Sequence, residues 1–228
     1  MHYHDVAAAA ARVGLTARGG FHPVPGDAVP PRADGRRVRT LVLIGNVGSD
    51  LWPAFFTAPE RTDDQADPLD RWTRRVVDGL ARALDATALY PFGGPPHHPF
   101  VAWAKRSEPV SESPIGMLVH PDHGLWHAWR AALAFPGALA LPPPDRRPSP
   151  CARCAGQPCR TACPVAAFGP GGYDVDACVT HLQSAAGAGC ATGCLARAAC
   201  PVGRGRRYAP AHGRFHMDAF IEARTRNE

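Results

Sequence analysis

Eight cysteines, which can bind metal or form disulfides, all lie between residues 151 and 200. The first four stand in the string CARCAGQPCRTACP, residues 151–164. The other four are Cys178, Cys190, Cys194 and Cys200. Cysteines grouped in this way form disulfides, bind zinc or hold iron–sulfur clusters.

Disulfides require an oxidising compartment, so the beginning of the chain bears on the choice. It reads MHYHDVAAAAARVG, which lacks the basic leader and following apolar segment of a secretory signal. No uninterrupted apolar run approaches the roughly 18 residues of a membrane span. The best candidate, around residues 126–141, is broken by Arg130 and Pro136. We therefore expect a cytoplasmic protein with reduced thiols and no membrane partner.

Zinc and iron–sulfur clusters differ in the spacing of their ligands. Cys151-x2-Cys154 alone suits a zinc knuckle, and eight thiolates could make two zinc sites. The whole run, C-x2-C-x4-C-x3-C-P, departs from the bacterial ferredoxin run only in its middle gap. Proline after the last cysteine lacks an N–H and turns the chain away from the site, and it occurs at both Pro164 and Pro201. The spacing favours iron–sulfur clusters, with zinc as the alternative.

The same pattern predicts how the thiols divide. In two-cluster ferredoxins the fourth cysteine of a run ligates the other cluster. Cys159 and Cys163 lie about one helical turn apart, and Pro164 then diverts the chain. The predicted first set is Cys151, Cys154, Cys159 and Cys200, and the predicted second set is Cys163, Cys178, Cys190 and Cys194.

Charge is compatible with that prediction. Residues 151–228 hold nine arginines, no lysine and five acids, so their net charge is +4. Two oxidised four-iron clusters with their thiolates would bring about two negative charges each. A nucleic-acid surface at Arg204, Arg206, Arg207 and Arg214 is the rival explanation, which charge alone leaves open. With so small an excess and no interleaved aromatic residues, we do not expect nucleic acid as a partner.

A proline-rich joint, LPPPDRRPSP at 141–150, predicts a boundary between a domain at 1–145 and a domain at 146–228. The first domain mixes helix and strand signals, so we predict an α/β layer structure. Its clearest helix is DPLDRWTRRVVDGLARAL. That helix has Leu69, Trp72, Val76, Leu80 and Leu84 on one face. The other predicted elements are a helix at Val6–Val13, strands in VRTLVLIGNVG, ATALYPF and IGMLVHP, and a strand or helix in GLWHAWRAALAF.

Two strings carry a resemblance to a known family. SPIGMLVHPDHGLWHAWRAALAFPGALALPPP, at 113–144, precedes CARCAGQPCRTACPVAAFGPGGYDVDACVTHL, at 151–182. This order of strand, His-Pro-x-x-Gly-x-Trp turn, proline-rich joint and cysteine run resembles the epoxyqueuosine reductases. YPFGGPP and VHPDHGLW are more loosely similar to cblC-type cobalamin-processing proteins. The resemblance implies a nitroreductase-like α/β domain, a small ferredoxin-like domain with two [4Fe-4S] clusters, and a corrinoid site.

The chain departs from the reductases in two respects. They carry a proton-donating acid in an Asp-Ser-Ala-Pro string, whereas KRSEPVSESPIG, at 105–116, has no such aspartate. Glu108 and Glu112 are the acids that could substitute. The helical-repeat extension that many of those reductases use with transfer RNA is also missing. We therefore do not expect epoxyqueuosine reduction, and whether the protein is an oxidoreductase enzyme stays open.

Two hypotheses of different class follow. In the first, a ferredoxin-like protein passes electrons through two clusters between redox partner proteins. In the second, the clusters reduce a corrinoid or other acceptor bound near Tyr90, Phe92, His120 and Trp126, as the resemblance implies. The remaining histidines of HPDHGLWHAW, His123 and His127, are expected to be solvated or to cap the core rather than to bind metal.

Overall fold

The structure is a computed structural model that describes residues 1–32 and 34–225. It divides into two compact units. The first consists of Met1–Pro109 and His127–Arg146, and the second consists of Val110–Trp126 and the chain from Arg147. The boundary expected between residues 145 and 146 lies one residue before the division between Arg146 and Arg147. The segment Val110–Trp126, which the sequence placed in the first domain, instead groups with the cysteine region.

Helices and strands are mixed along the chain, which confirms the predicted α/β class. The helices are α1 (Tyr3–Ala11), α2 (Trp52–Phe56), α3 (Pro68–Ala83), α4 (Phe100–Ser107), α5 (Val175–Gln183), α6 (Leu195–Ala198) and α7 (Pro210–Thr225). The strands are β1 (Thr16–Phe21), β2 (Thr40–Val47), β3 (Thr87–Leu89), β4 (Ser111–Glu112), β5 (Leu118–Val119), β6 (His127–Phe135), β7 (Phe168–Gly169) and β8 (Gly172–Tyr173). Among the described residues, no helix combines the length and apolar character that crossing a bilayer requires.

The first unit is built on an antiparallel sheet of order β1-β2-β6-β3. Every residue of β2 is buried, and this strand pairs with β6 from Thr40 opposite Phe135 to Val47 opposite His127. The segment GLWHAWRAALAF, for which strand and helix were both open, therefore contains a strand. Its apolar second half is buried because β2 and β3 flank it on both sides.

Helix α3 packs one face toward this sheet. The prediction was right for Leu69, Trp72 and Leu80, which are buried, and wrong for Val76, since Val77 is the buried valine. The face is rotated toward Thr73, which is also fully buried. The Thr73 hydroxyl donates to the carbonyl of Leu69 at 2.7 Å, so this polar side chain is satisfied within its own helix.

The second unit has little regular structure and a small core of its own. Short 3-10 turns at Pro150–Arg153 and Pro158–Arg160 precede the β7–β8 hairpin and helices α5 to α7. Ile115, Val119 and Leu125, from the β4–β5 hairpin and the turn after it, form a hydrophobic cluster with buried cysteines. So small a core favours additional stabilisation by bound metal.

Candidate metal centre

Four thiols from distant points of the chain converge in the second unit. Cys151 and Cys154 lie at one 3-10 turn, Cys159 lies in the next, and Cys200 follows α6. Burial raises the pKa of Cys159, and the thiols of Cys200, Cys151 and Cys154 raise it further because neighbouring thiolates repel one another. Cys159 and Cys200 are each 7% exposed.

These four cysteines line one cavity. Its remaining wall is largely apolar and includes Val119, Leu125 and Val202. Ser113 and Gln157 are the other polar side chains of the lining. A cavity lined by four thiols and apolar surface can take a group that binds sulfur and is shielded from water.

The other four thiols form a second group. Burial raises the pKa of Cys190, and Cys178 and Cys163 raise it further. Burial likewise raises the pKa of Cys194, with the same two thiols adding to the shift. Cys178 is held on α5, whose N-cap residue Asp174 accepts a hydrogen bond from the N–H of Ala177 at 2.9 Å. Cys190 and Cys194 thus each lie near Cys163 and Cys178.

Tyr173 lies beside the second group. Its hydroxyl is hydrogen-bonded to Cys178, and its ring stacks on Phe168 at 4.8 Å. Burial raises the pKa of this phenol, with the bond to Cys178 the next largest cause, so it stays protonated and donates to sulfur at neutral pH.

Backbone N–H groups also point at sulfur atoms in both groups. The bonds run from Ala196 and Arg197 to Cys194, from Leu195 to Cys190, from Val202 to Cys200, and from Ala167 to Cys163 at 3.4 Å. At Cys190, Cys194 and Cys200 these bonds favour the thiolate over the thiol and oppose the effect of burial on the pKa. The surroundings of the sulfurs are therefore suited to negative charge.

The spacing of the thiols bears on which metal group fits. All eight cysteines are free thiols. Zinc requires its ligands to converge on one ion at about 2.3 Å from each sulfur. Within residues 1–32 and 34–225, no three or more His, Cys, Asp or Glu side chains are arranged to hold a single ion. A four-iron cluster binds each thiolate through a different iron, so its ligands surround a cavity instead of converging on one ion.

The segment Val110–Trp126 contributes part of the wall around the first group. Gly124 has φ +58°, and a Cβ there would stand 2.0 Å from the carbonyl oxygen of Val202. Gly203 has φ +69°, and its Cβ would stand 2.3 Å from backbone atoms of His123. Two glycines thus allow the HPDHG turn and the chain after Cys200 to pack backbone against backbone.

Arg197 fixes the same segment from the other side. Its guanidinium donates two hydrogen bonds to the carbonyl of Leu125, at 2.9 and 2.6 Å. It also lies 4.5 Å from the ring centre of Trp126 and 4.4 Å from that of Tyr208. Since Arg197 belongs to α6, between Cys194 and Cys200, these contacts tie the segment to the cysteine region.

The residues suggested for a corrinoid are divided between the units. Tyr90 and Phe92 lie in the first unit, with rings stacked at 5.2 Å. The hydroxyl of Tyr90 donates to Asp78 at 2.6 Å, so this side chain is anchored in its own unit. His120 and Trp126 lie in the second unit.

The histidines of the HPDHGLWH string do not form a set of ligands in the part of the chain that the structure describes. The Nδ1 atom of His120 accepts hydrogen bonds from the backbone N–H groups of Asp122, at 3.0 Å, and His123, at 3.4 Å. The rings of His120 and His123 stack at 4.2 Å. His120 therefore stabilises the turn.

Glu108 and Glu112 differ in their surroundings. The carboxylate of Glu108 accepts two hydrogen bonds of 2.8 Å from Arg18, which is 1% exposed and also donates to the carbonyl of Asn46 at 3.0 Å. Glu112 lies exposed in β4. Glu108, which belongs to the first unit, is thus part of a buried ion pair with Arg18.

Sequence reasoning missed Ser113, Val119 and Leu125 as parts of the first cysteine cavity. No spacing rule connects residues 113–125 with a cysteine run that begins at residue 151. The feature of the sequence that could have indicated this contact is a pair of glycines. Gly124 lies in the HPDHG turn, and Gly203 lies three residues after Cys200.

No protein-family model matches the chain, and no curated protein matches it either. Solved structures do match. The B12-trafficking protein CblC of C. elegans, a human MMACHC homologue, is 13% identical, with 96% of each chain covered and a TM-score of 0.53. This agreement shows a similar fold over nearly the whole length of both chains.

Epoxyqueuosine reductases are also among the matches. The enzyme of Bacillus subtilis is 16% identical, with 91% of this chain covered and a TM-score of 0.47. An epoxyqueuosine reductase with a tRNA-Tyr stem loop is 15% identical, with the same coverage of this chain and a TM-score of 0.48. The chain spans 66% of the length of each reductase. Both families that the sequence resembles thus occur among its structural neighbours.

Proposed function

We propose that this protein is a redox protein that holds two [4Fe-4S] clusters and transfers electrons through them to and from partner proteins. The observation that supports this most is the division of the eight thiols into two groups of four. The division follows the crossed order of two-cluster ferredoxins and not the order of the chain. We place this activity in the cytoplasm, where thiols remain reduced.

In this proposal each thiol is a ligand of one of the two clusters. The first cluster would be held by Cys151, Cys154, Cys159 and Cys200, and the second by Cys163, Cys178, Cys190 and Cys194. Such clusters supply one-electron transfer at potentials set by charge, hydrogen bonds and exposure. The backbone N–H groups directed at the sulfurs would stabilise the charged thiolates, and the positive charge of Arg204 acts in the same direction on Cys200.

We expect protein prepared without oxygen to be brown and to contain about eight iron and eight sulfide per chain, the content of two four-iron clusters. Colorimetric iron and acid-labile sulfide assays, scaled to protein by amino-acid analysis, measure this directly. Zinc is determined in the same sample. About two zinc ions per chain with no acid-labile sulfide would mean that the thiols form zinc sites, and the proposal would be wrong.

A corrinoid-dependent role is the second candidate function. It is favoured by the fold shared with a B12-trafficking protein over nearly the full length of both chains. In this version, the first unit holds the corrinoid near Phe92, and the clusters deliver electrons to it. Tyr90 supports that position, since it stacks on Phe92 and is itself anchored to Asp78.

Under this second candidate, adding hydroxocobalamin to the full chain should shift the visible absorption bands of the cobalamin. Phe92→Ala should weaken binding, because it removes the ring that lies against Tyr90. Phe56→Ala is the matched control, since Phe56 is an exposed aromatic residue of the same unit. A spectrum equal to the sum of those of free cobalamin and protein would show that the chain does not bind cobalamin. The proposal of electron transfer between partner proteins would then stand alone.

A further inference from the structure

Ser113 lies in the turn between β4 and β5, and its backbone is fully engaged there. Its N–H donates to the carbonyl of Met117 at 2.9 Å, and its carbonyl accepts from the N–H of Gly116 at 3.0 Å. The following residue is Pro114, whose ring restricts the backbone further. The position of the Ser113 side chain is therefore set by the turn.

That side chain is buried without a partner. Ser113 is 9% exposed, and its hydroxyl makes no hydrogen bond to any of the described residues. Buried hydroxyl groups are nearly always hydrogen-bonded in folded proteins, because leaving one unsatisfied is unfavourable. An acceptor for this hydroxyl is therefore expected in the completed site.

The surroundings restrict what the acceptor can be. Ser113 lines the cavity of the first cysteine group, together with Cys151, Cys154, Cys159 and Cys200. Apart from these thiols and Gln157, the lining consists of proline, valine and leucine side chains. Apolar side chains cannot accept a hydrogen bond, so the side-chain acceptors within this cavity are the amide oxygen of Gln157 and the sulfur atoms of the ligands or of what they hold. Ser113 makes no hydrogen bond to Gln157, which leaves the sulfur atoms.

We infer that Ser113 donates a hydrogen bond to a sulfur atom of the cluster held by the first cysteine group and thereby raises its reduction potential. The inference rests on the proposed function. Reduction adds negative charge to the cluster and its sulfurs, and a donor directed at sulfur stabilises the reduced form more than the oxidised form. Ser113 is thus a positioning and tuning residue outside the set of metal ligands.

The second cysteine group provides a matched comparison. There the hydroxyl donor is Tyr173, which is hydrogen-bonded to Cys178. In the first group the Ser149 hydroxyl is likewise hydrogen-bonded to Cys151, so Ser113 is a further hydroxyl beside that group. Removing the Ser113 hydroxyl should affect the first cluster alone, and removing the Tyr173 hydroxyl should affect the second alone. A general disturbance of the second unit would instead change the midpoint potentials of both clusters.

The test is a redox titration of the full, cluster-loaded chain, followed by paramagnetic resonance. In Ser113→Ala, the ratio of oxidised to reduced first cluster at a fixed potential should rise about tenfold, which is a fall of about 59 mV in its midpoint. Ser113→Thr retains the hydroxyl and should stay near the wild-type midpoint. Ser113→Val, nearly the same shape as threonine without the donor, should show the fall. Tyr173→Phe should lower the midpoint of the second cluster only.

Iron and sulfide are measured first, so that two failures can be told apart. A wild-type chain without acid-labile sulfide would overturn both the proposed function and this inference. With two clusters present, equal midpoints for the valine and threonine variants would overturn the role of Ser113 alone. Loss of the first cluster in Ser113→Val but not in Ser113→Thr would also overturn the tuning role, because Ser113 would then be needed to hold the cluster.

Discussion

Replacing Cys200 by alanine is expected to remove about four of the eight iron atoms and leave the other cluster in place. Cys200 follows Cys190 and Cys194 in the chain, yet its thiol lies with those of Cys151, Cys154 and Cys159 around one cavity. Iron and sulfide should therefore fall by about half, and the signal of the cluster held by Cys190 should persist in the reduced protein.

Cys190→Ala is the matched variant, since it removes a buried thiol from the other group. Its residual signal should be the one lost in Cys200→Ala and in Cys151→Ala. Magnetic coupling between two reduced clusters should vanish in all three variants. If Cys200→Ala and Cys190→Ala instead lose the same signal while Cys151→Ala loses the other, the clusters follow the order of the chain and the crossed division is wrong.

Glu108→Gln is expected to destabilise the first unit by about 3–5 kcal/mol, the range found when one partner of a buried ion pair is removed. Arg18 is 1% exposed, and both of its hydrogen bonds to Glu108 are 2.8 Å long. Glutamine keeps the shape but leaves the guanidinium without its counter-charge. For a chain of this length, the melting temperature should fall on the order of 10 °C.

Arg36→Ala is the control, because Arg36 is 52% exposed and pairs with Asp34 at the surface. Exposed pairs contribute roughly 0–1 kcal/mol, so its melting temperature should stay near that of the wild type. Denaturant or thermal unfolding, followed by tryptophan fluorescence, measures both variants. A Glu108→Gln chain as stable as the wild type would show that the pair is not a structural support.

A division of the thiols into two sets could be predicted from the sequence because ligand spacing is local and proline interrupts it at fixed points, and it stays a prediction. In the structure Cys159 lies near Cys151, Cys154 and Cys200, and Cys190 lies near Cys163 and Cys178. The pairing of β2 with β6 could not be predicted from the sequence. A short apolar run is compatible with a strand or a helix until the elements that flank it are known.

The contribution of Val110–Trp126 could not be predicted, because long-range packing leaves no period in the sequence. Ser113 and Leu125 line the first cysteine cavity although they lie far from most of its cysteines in the sequence. The close backbone contacts of Gly124 and Gly203 hold this segment against the chain that follows Cys200. The sequence also predicted Val76 on the buried face of α3, whereas Val77 is the buried valine. Thr73 satisfies its own hydroxyl within α3, so a residue counted as polar took a buried place and rotated the face.

The crossed arrangement of the thiols has a consequence for synthesis of the protein. Cys200 leaves the ribosome 41 residues after Cys159, a delay of about 2–8 seconds at usual elongation rates. The second set is complete only at Cys194, six residues earlier. A nascent chain that ends between Cys163 and Cys194 thus displays thiols from both sets and completes neither. Under the proposed function, metal loading is a late event that acts on a finished cysteine region, and such truncated chains would expose thiols without gaining a cluster.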